Sequence, residues 1–174
     1  MTETSAQIYG GDKTPQTLAA GDASVSEIER AVFKRLIRLP YYGVFDHIAY
    51  KVEGETVTLF GKVAIARNKK DAERSIKRVD GVRRVINNVE ILPPSPFDDR
   101  IRRRIVRTLA AKGLFRYLQE PNPSVRLIVD GGRVEIEGFV ANRGDYNLIN
   151  ILANGVSDVF SVTNNLAVEK EGAR

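Results

Sequence analysis

Val52-Glu53-Gly54-Glu55-Thr56-Val57-Thr58-Leu59-Phe60-Gly61-Lys62-Val63 returns 77 residues later as Val129-Asp130-Gly131-Gly132-Arg133-Val134-Glu135-Ile136-Glu137-Gly138-Phe139-Val140. The same offset carries Val85-Ile86-Asn87-Asn88-Val89 onto Val162-Thr163-Asn164-Asn165-Leu166, and Ala72, Ile76 and Val79 onto Ile149, Ala153 and Val156. An offset of 73 carries Ile28, Val32 and Leu36 onto Ile101, Ile105 and Leu109, so the second copy holds about four extra residues near Glu120-Pro121-Asn122-Pro123. Self-similarity over roughly 70 residues means two small structural units in tandem.

Hydrophobic spacing orders each unit. Ser24-Val25-Ser26-Glu27 has the capping-box pattern and predicts a helix start. Val25, Ile28, Val32, Leu36 and Leu39 then recur at helical spacing until Pro40. Residues 48–52 and 56–63 alternate as strands about the turn Glu53-Gly54-Glu55. Asn68 is placed to cap a helix over 69–79, Asp80-Gly81 ends it, and residues 85–91 form a third strand. The second unit predicts a helix near 98–112, strands near 125–130 and 133–140, a helix near 145–155 and a strand near 162–168. The fold expected is α+β: two tandem α-β-β-α-β units, each a three-stranded mixed sheet with two helices packed on one face. The closing β-α-β step predicts parallel pairing by a right-handed crossover. Gly61 and Gly138 fall at the same point inside a strand, which calls for a bulge or a close backbone approach. The boundaries expected are a disordered lead-in over 1–23, units over 24–92 and 97–169, a stiff Pro-rich linker over 93–96, and a tail over 170–174.

Composition removes several function classes. No cysteine is present, which excludes disulfides, thiolate metal sites and a cysteine nucleophile. His47 is the one histidine, and its place at a strand start beside Asp46 reads as structural or solvent-exposed. Neither a catalytic triad nor a P-loop, GxGxxG or HExxH motif is present, so no catalytic residue, metal ligand or cofactor is expected. Asp98-Asp99 reads as favourable charge at a helix N-terminus. Residues 1–24 lack a signal-peptide pattern, which leaves open a cytosolic chain or one whose leader was removed. No apolar run is long enough to span a bilayer.

The order α-β-β-α-β joins two motifs, Val57-Thr58-Leu59-Phe60-Gly61-Lys62-Val63 and Gly81-Val82-Arg83-Arg84-Val85-Ile86-Asn87-Asn88-Val89. Together they resemble the BON (bacterial OsmY and nodulation) domain over about residues 24–169. The second unit departs from the pattern with Ile136 for Leu59 and Asp158 for Gly81. The resemblance implies a non-enzymatic envelope protein of Gram-negative bacteria, periplasmic and membrane-associated. It further implies phospholipid-surface binding, outer-membrane maintenance and a part in stress responses. One relative binds potassium, and small-ion binding through loop carbonyls and carboxylates near Asp130 or Asp158 is a third reading.

Lys and Arg number 27 against 22 Asp and Glu, an excess that favours anionic partners. On the first helix of the second unit, Ile101, Ile105 and Leu109 face inward and Arg100, Arg103, Arg104 and Arg107 share the opposite side. Four guanidiniums on one face suit phosphate, and a solvated helix face is the plain alternative. Arg67, Lys70, Arg74, Lys77 and Arg78 form a similar stripe in the first unit. Phe115, Arg116 and Tyr117 sit in an apolar-aromatic loop able to enter a lipid interface, unless Leu114 and Leu118 merely close the core. Residues 146–157 carry no charge, and Leu148, Ile151 and Leu152 mark an interface with the first unit, a second copy or an envelope partner, with simple burial or membrane contact as the alternatives. Nucleic acid is disfavoured, because stacking aromatics and a GxxG clamp are missing beside the basic stripes. Anionic phospholipid surfaces are the leading partner, and a protein-interaction module using 146–157 is second.

Overall fold

The computed structural model describes residues 20–169, so most of the expected lead-in and all of the tail lie outside the described residues. The chain divides into two units: residues to Tyr42 with Ile48–Ile91, and Gly43–His47 with the chain from Leu92 on.

In the first unit the order is α1 (Ala20–Leu36), β1 (His47–Glu53), β2 (Thr56–Val63), α2 (Ala66–Ile76), β3 (Arg84–Asn87) and β4 (Glu90–Ile91). The helix stripe Ile28, Val32, Leu36 packs with Ile48, Val57, Leu59, Val63, Ala72 and Ile76 in one core. Each of these Val, Leu and Ile side chains contributes roughly 1.5–3 kcal/mol by leaving water. Two boundaries differ from expectation. The helix already runs at Ala20, so Ser24 lies inside it rather than capping it. Asn68 is likewise no cap: Ile65 holds the cap position of α2, and the fully buried Asn68 donates Nδ2 to the Tyr41 carbonyl at 2.8 Å. A buried amide needs a partner, and the nearby carbonyl supplies it where a helix end would not.

The strand after α2 runs parallel to β2, as the crossover requires, but in two pieces. Leu59 pairs with Asn87 and Lys62 with Glu90, so the register survives the break. Opposite the break, Gly61 adopts φ 112°. The Asn87 side chain accepts from the Val89 N–H at 3.2 Å, turning the backbone, while its Nδ2 donates to the Lys69 carbonyl at 2.9 Å on α2.

The second unit repeats the plan with α3 (Pro96–Ala111), a 3-10 turn (Phe115–Tyr117), β5 (Val125–Asp130), β6 (Arg133–Val140), α4 (Arg143–Asn154), β7 (Ser161–Asn164) and β8 (Ala167–Val168). β5 and β6 form an antiparallel hairpin, and β7 and β8 both run parallel to β6. Gly138 has φ 120° opposite the same break, and Asn164 accepts from the Leu166 N–H at 3.1 Å. The glycine and the Asn-x-Val/Leu pattern are thus two halves of one backbone device. Ser95 and Pro96, expected in the linker, instead cap and open α3: the Ser95 hydroxyl accepts from the Asp98 N–H, and Pro fits a first turn whose N–H needs no partner.

β5 is buried from Val125 through Val129, and Gly43–His47 lies beside it within this unit. The Leu127 N–H donates to Val44 O at 2.7 Å, and the buried Arg126 donates to Gly43 O at 2.7 Å and Asp46 O at 3.1 Å. His47 is therefore structural rather than solvent-exposed. Burial, then the nearby Arg126 charge, lowers its pKa from 6.5 to about 4.

Candidate anionic-surface site

Two buried polar side chains set how α3 lies on its sheet. Asp98 accepts from the N–H groups of Gly131 and Gly132 at 3.0 and 2.8 Å, closing the tip of the β5–β6 hairpin onto the helix. Its carboxyl is pushed up by burial, but the Gly132 and Gly131 donors, Ser95 and Arg102 outweigh this and leave its pKa lowered. Arg102 donates to Val129 O at 2.7 Å and to Asp99 at 2.6 Å. Asp98 is thus more than a helix-end charge, and Arg102 is not part of the basic face. With Ile101, Ile105 and Leu109 also buried, the rotation of α3 is determined. At 100° per residue the remaining arginines must point outward.

Arg100, Arg103, Arg104 and Arg107 are all exposed. They are not equivalent. Arg104 pairs with Asp158 and also reaches Ser157 O at 3.4 Å. Arg100 lies over the Phe97 ring, 5.7 Å from its centroid. Among the described residues, Arg103 and Arg107 have no side-chain partner. Phe97 stacks on Phe160 at 6.0 Å, and Phe160 is 74% exposed. Sequence reasoning missed this aromatic pair. The signal was a comparison of the two copies: Phe160 stands where the first unit has Arg83. Asp158, which stands where the first unit has Gly81, takes φ 74° against 87° for that glycine. The exchange keeps the backbone, because a short polar side chain tolerates the left-handed region, and it gives Arg104 a partner.

The loop divides differently from expectation. Leu114, Leu118 and Tyr117 are buried, so the core-closing alternative holds for the two leucines. The Tyr117 hydroxyl donates to Asp145 and accepts from the Ala141 N–H, which keeps the ring inside and away from any surface. Arg116 pairs with Asp145 at 2.7 Å and stays exposed, as does Phe115 at 50%. The Tyr117 bond, then the Arg116 contacts, hold the Asp145 carboxyl below its usual range despite burial.

On α4, Ile149 and Ala153 are buried, and Leu148 and Leu152 pack half-buried against the same core. Ile151 alone is prominently exposed, at 66%. The strip expected of Leu148, Ile151 and Leu152 does not assemble, because positions flanking the buried stripe widen it instead of forming a second face. Among the described residues no three His, Asp or Glu side chains gather as a metal site. No helix of these residues is long and apolar enough to cross a membrane.

The BON domain matches residues 24–93 and again 97–170. The chain belongs to the BON family. That family is not one of enzymes, and membership points to an envelope- or membrane-related role. No curated protein matches this BON chain. Among solved structures, it is similar to the C-terminal domain of CdsD, the structural protein of the type III secretion system of Chlamydia trachomatis. That likeness has 10% identity and TM-score 0.32, and covers 83% of this chain and 96% of that one. A second CdsD structure from the same organism gives 11% identity and TM-score 0.34, covering 86% and 95%.

Proposed function

We propose that this tandem BON protein attaches peripherally to anionic phospholipid on the periplasmic side of the envelope and supports outer-membrane integrity. The observation that carries the reading is the α3 face, where exposed Arg100, Arg103 and Arg107 lack carboxylate partners and the exposed Phe160 stacks on Phe97, over which Arg100 lies. Guanidiniums take two phosphate oxygens at a time, and an exposed ring flanked by cations suits the headgroup level. Phe115, exposed beyond the C-terminal end of α3, adds a second ring, while Arg116 beside it is held by Asp145. Each cation near an anionic membrane contributes about 1 kcal/mol, so three give about 3 kcal/mol, or roughly a hundredfold in affinity.

The test is co-sedimentation with anionic and neutral vesicles at low and high salt. Binding to anionic vesicles alone, weakened by salt and lost in Arg100→Ser/Arg103→Ser/Arg107→Ser, is the expected result. Unchanged binding by the folded triple variant sinks the site. The self-association reading now rests on Ile151, and one side chain is a small part of the ~800 Å² per partner that a stable interface buries.

A further inference from the structure

In the first unit a groove of about 660 Å3 runs between α1 and α2. Lys34, Arg35 and Arg38 line one wall, and Arg67, Arg74 and Arg78 line the other. Asp71 is the one carboxylate among the lining residues, and it is bound to Arg67 at 3.1 Å and Arg74 at 3.4 Å. Those two guanidiniums are thereby held in place, while Lys34, Arg35, Arg38 and Arg78 have no side-chain partner among the described residues. Glu27 and Asp80 lie only at the neighbouring end, in an adjoining hollow that shares Arg35 and Arg78. The positive charge is therefore concentrated toward Arg38 and Arg67.

We infer that this groove binds clustered phosphoryl groups, as in a polyphosphate or a phosphorylated headgroup.

Two observations separate this from a solvated basic surface. Cations in the last turn of α1 complement its dipole, which accounts for Lys34 and Arg35. Arg67 stands in the first turn of α2, where the dipole opposes a cation and no acidic residue of that turn offsets it, leaving Asp71 one turn on to hold it. The fold does not need these charges either. The second unit builds the same two helices with Thr108 and Ala111 in place of Arg35 and Arg38, and with Gly144, Ile151 and Gly155 in place of Arg67, Arg74 and Arg78. Lys34 alone keeps a cation, as Arg107, so the chain holds in one copy a charge cluster of which its twin omits five of the six members. Five of the six cations are arginines, whose planar fork matches phosphate oxygens in pairs. A single carboxylate would leave most of them uncompensated, whereas linked phosphoryl groups bring comparable negative charge in a small volume.

The experiment titrates the full chain with tripolyphosphate by calorimetry, and separately with phosphatidylcholine vesicles with and without phosphatidylglycerol, at low and high salt. The variant is Arg35→Ser/Arg38→Ser, with Arg103→Ser/Arg107→Ser as a control on α3. Both substituted α1-side residues are exposed, so a thermal melt should show the fold retained. Tripolyphosphate binding that the α1-side variant weakens at least about tenfold, and the α3 control does not, establishes the groove for a soluble ligand. No response to tripolyphosphate, but anionic-vesicle binding that survives the α3 control and falls in the α1-side variant, establishes it for a headgroup. Binding of neither probe, or equal affinity in wild type and the α1-side variant, overturns the inference. Arg35→Lys/Arg38→Lys, which keeps the charge and loses the fork, should bind more weakly than wild type and more tightly than the Ser variant.

Discussion

Replacing Asp158 with Asn should make the protein bind anionic membranes more tightly. The Asp158 carboxylate pairs with Arg104, the two side chains being 44% and 43% exposed. Asn is the right replacement because position 158 has φ 74°, which a short amide side chain tolerates and most residues do not. A pair this exposed is worth about 0–1 kcal/mol, so stability should barely change. Removing one negative charge beside the α3 face is worth about 1 kcal/mol at an anionic surface, and freeing Arg104 adds up to about 1 kcal/mol more. Together these predict roughly 5–30-fold tighter binding at low salt. The gain should shrink at high salt, where screening acts within a few ångströms. The assay is flotation with anionic and neutral vesicles, and the matched control is Glu55→Gln, which removes the same charge from an exposed pair with Arg83 in the first unit. If Asp158→Asn binds no better than wild type, or gains no more than Glu55→Gln, α3 is not the contact face.

Gly138→Ala and Gly61→Ala should each cost about 1–3 kcal/mol, because φ near 112–120° is glycine territory. Urea titration checks this, and Gly54→Asn, at φ 59° with open space around it, should be close to neutral. Stability should fall as pH drops from 6.5 to about 4, since the unfolded chain protonates His47 at 6.5 while burial and Arg126 delay this in the folded chain. Above 6.5 the imidazole is neutral in both states and contributes no slope, and the full loss is on the order of 3 kcal/mol. Glu137, 4.0 Å from His47 and raised chiefly by burial, opposes the trend at the acid end. Urea midpoints across this window should therefore be steeper for wild type than for His47→Asn.

The helix stripes were legible because each helix buries one face. Ile28, Val32 and Leu36 recur at that face's spacing, and Ile101, Ile105 and Leu109 repeat it. Asn68 and Ser24 misled for one reason: cap chemistry is written in residue type, but whether an amide or hydroxyl caps depends on where the chain enters the helix and what lies nearby. Asn142 caps α4 as a sequence reader would hope, accepting from the Asp145 N–H at 2.9 Å. Among the candidate site residues, the outward direction of Arg103 and Arg107 followed from periodicity alone. The capture of Arg104 by Asp158 and of Tyr117 by Asp145 did not, because those partners lie 54 and 28 residues away.

By itself the sequence determined that there are two copies of one α-β-β-α-β unit, where their apolar stripes lie, and that a glycine inside the second strand of each answers a backbone need. These are consequences of local spacing and of internal repetition, which need no knowledge of the fold. Only the tertiary structure decided which cations are free. Pairing depends on side chains brought together from distant parts of the chain, and it separated Arg104 from Arg103 and Arg107. It also brought the cations of α1 and α2 to one groove, because two helices that share a core face place their flanking positions side by side.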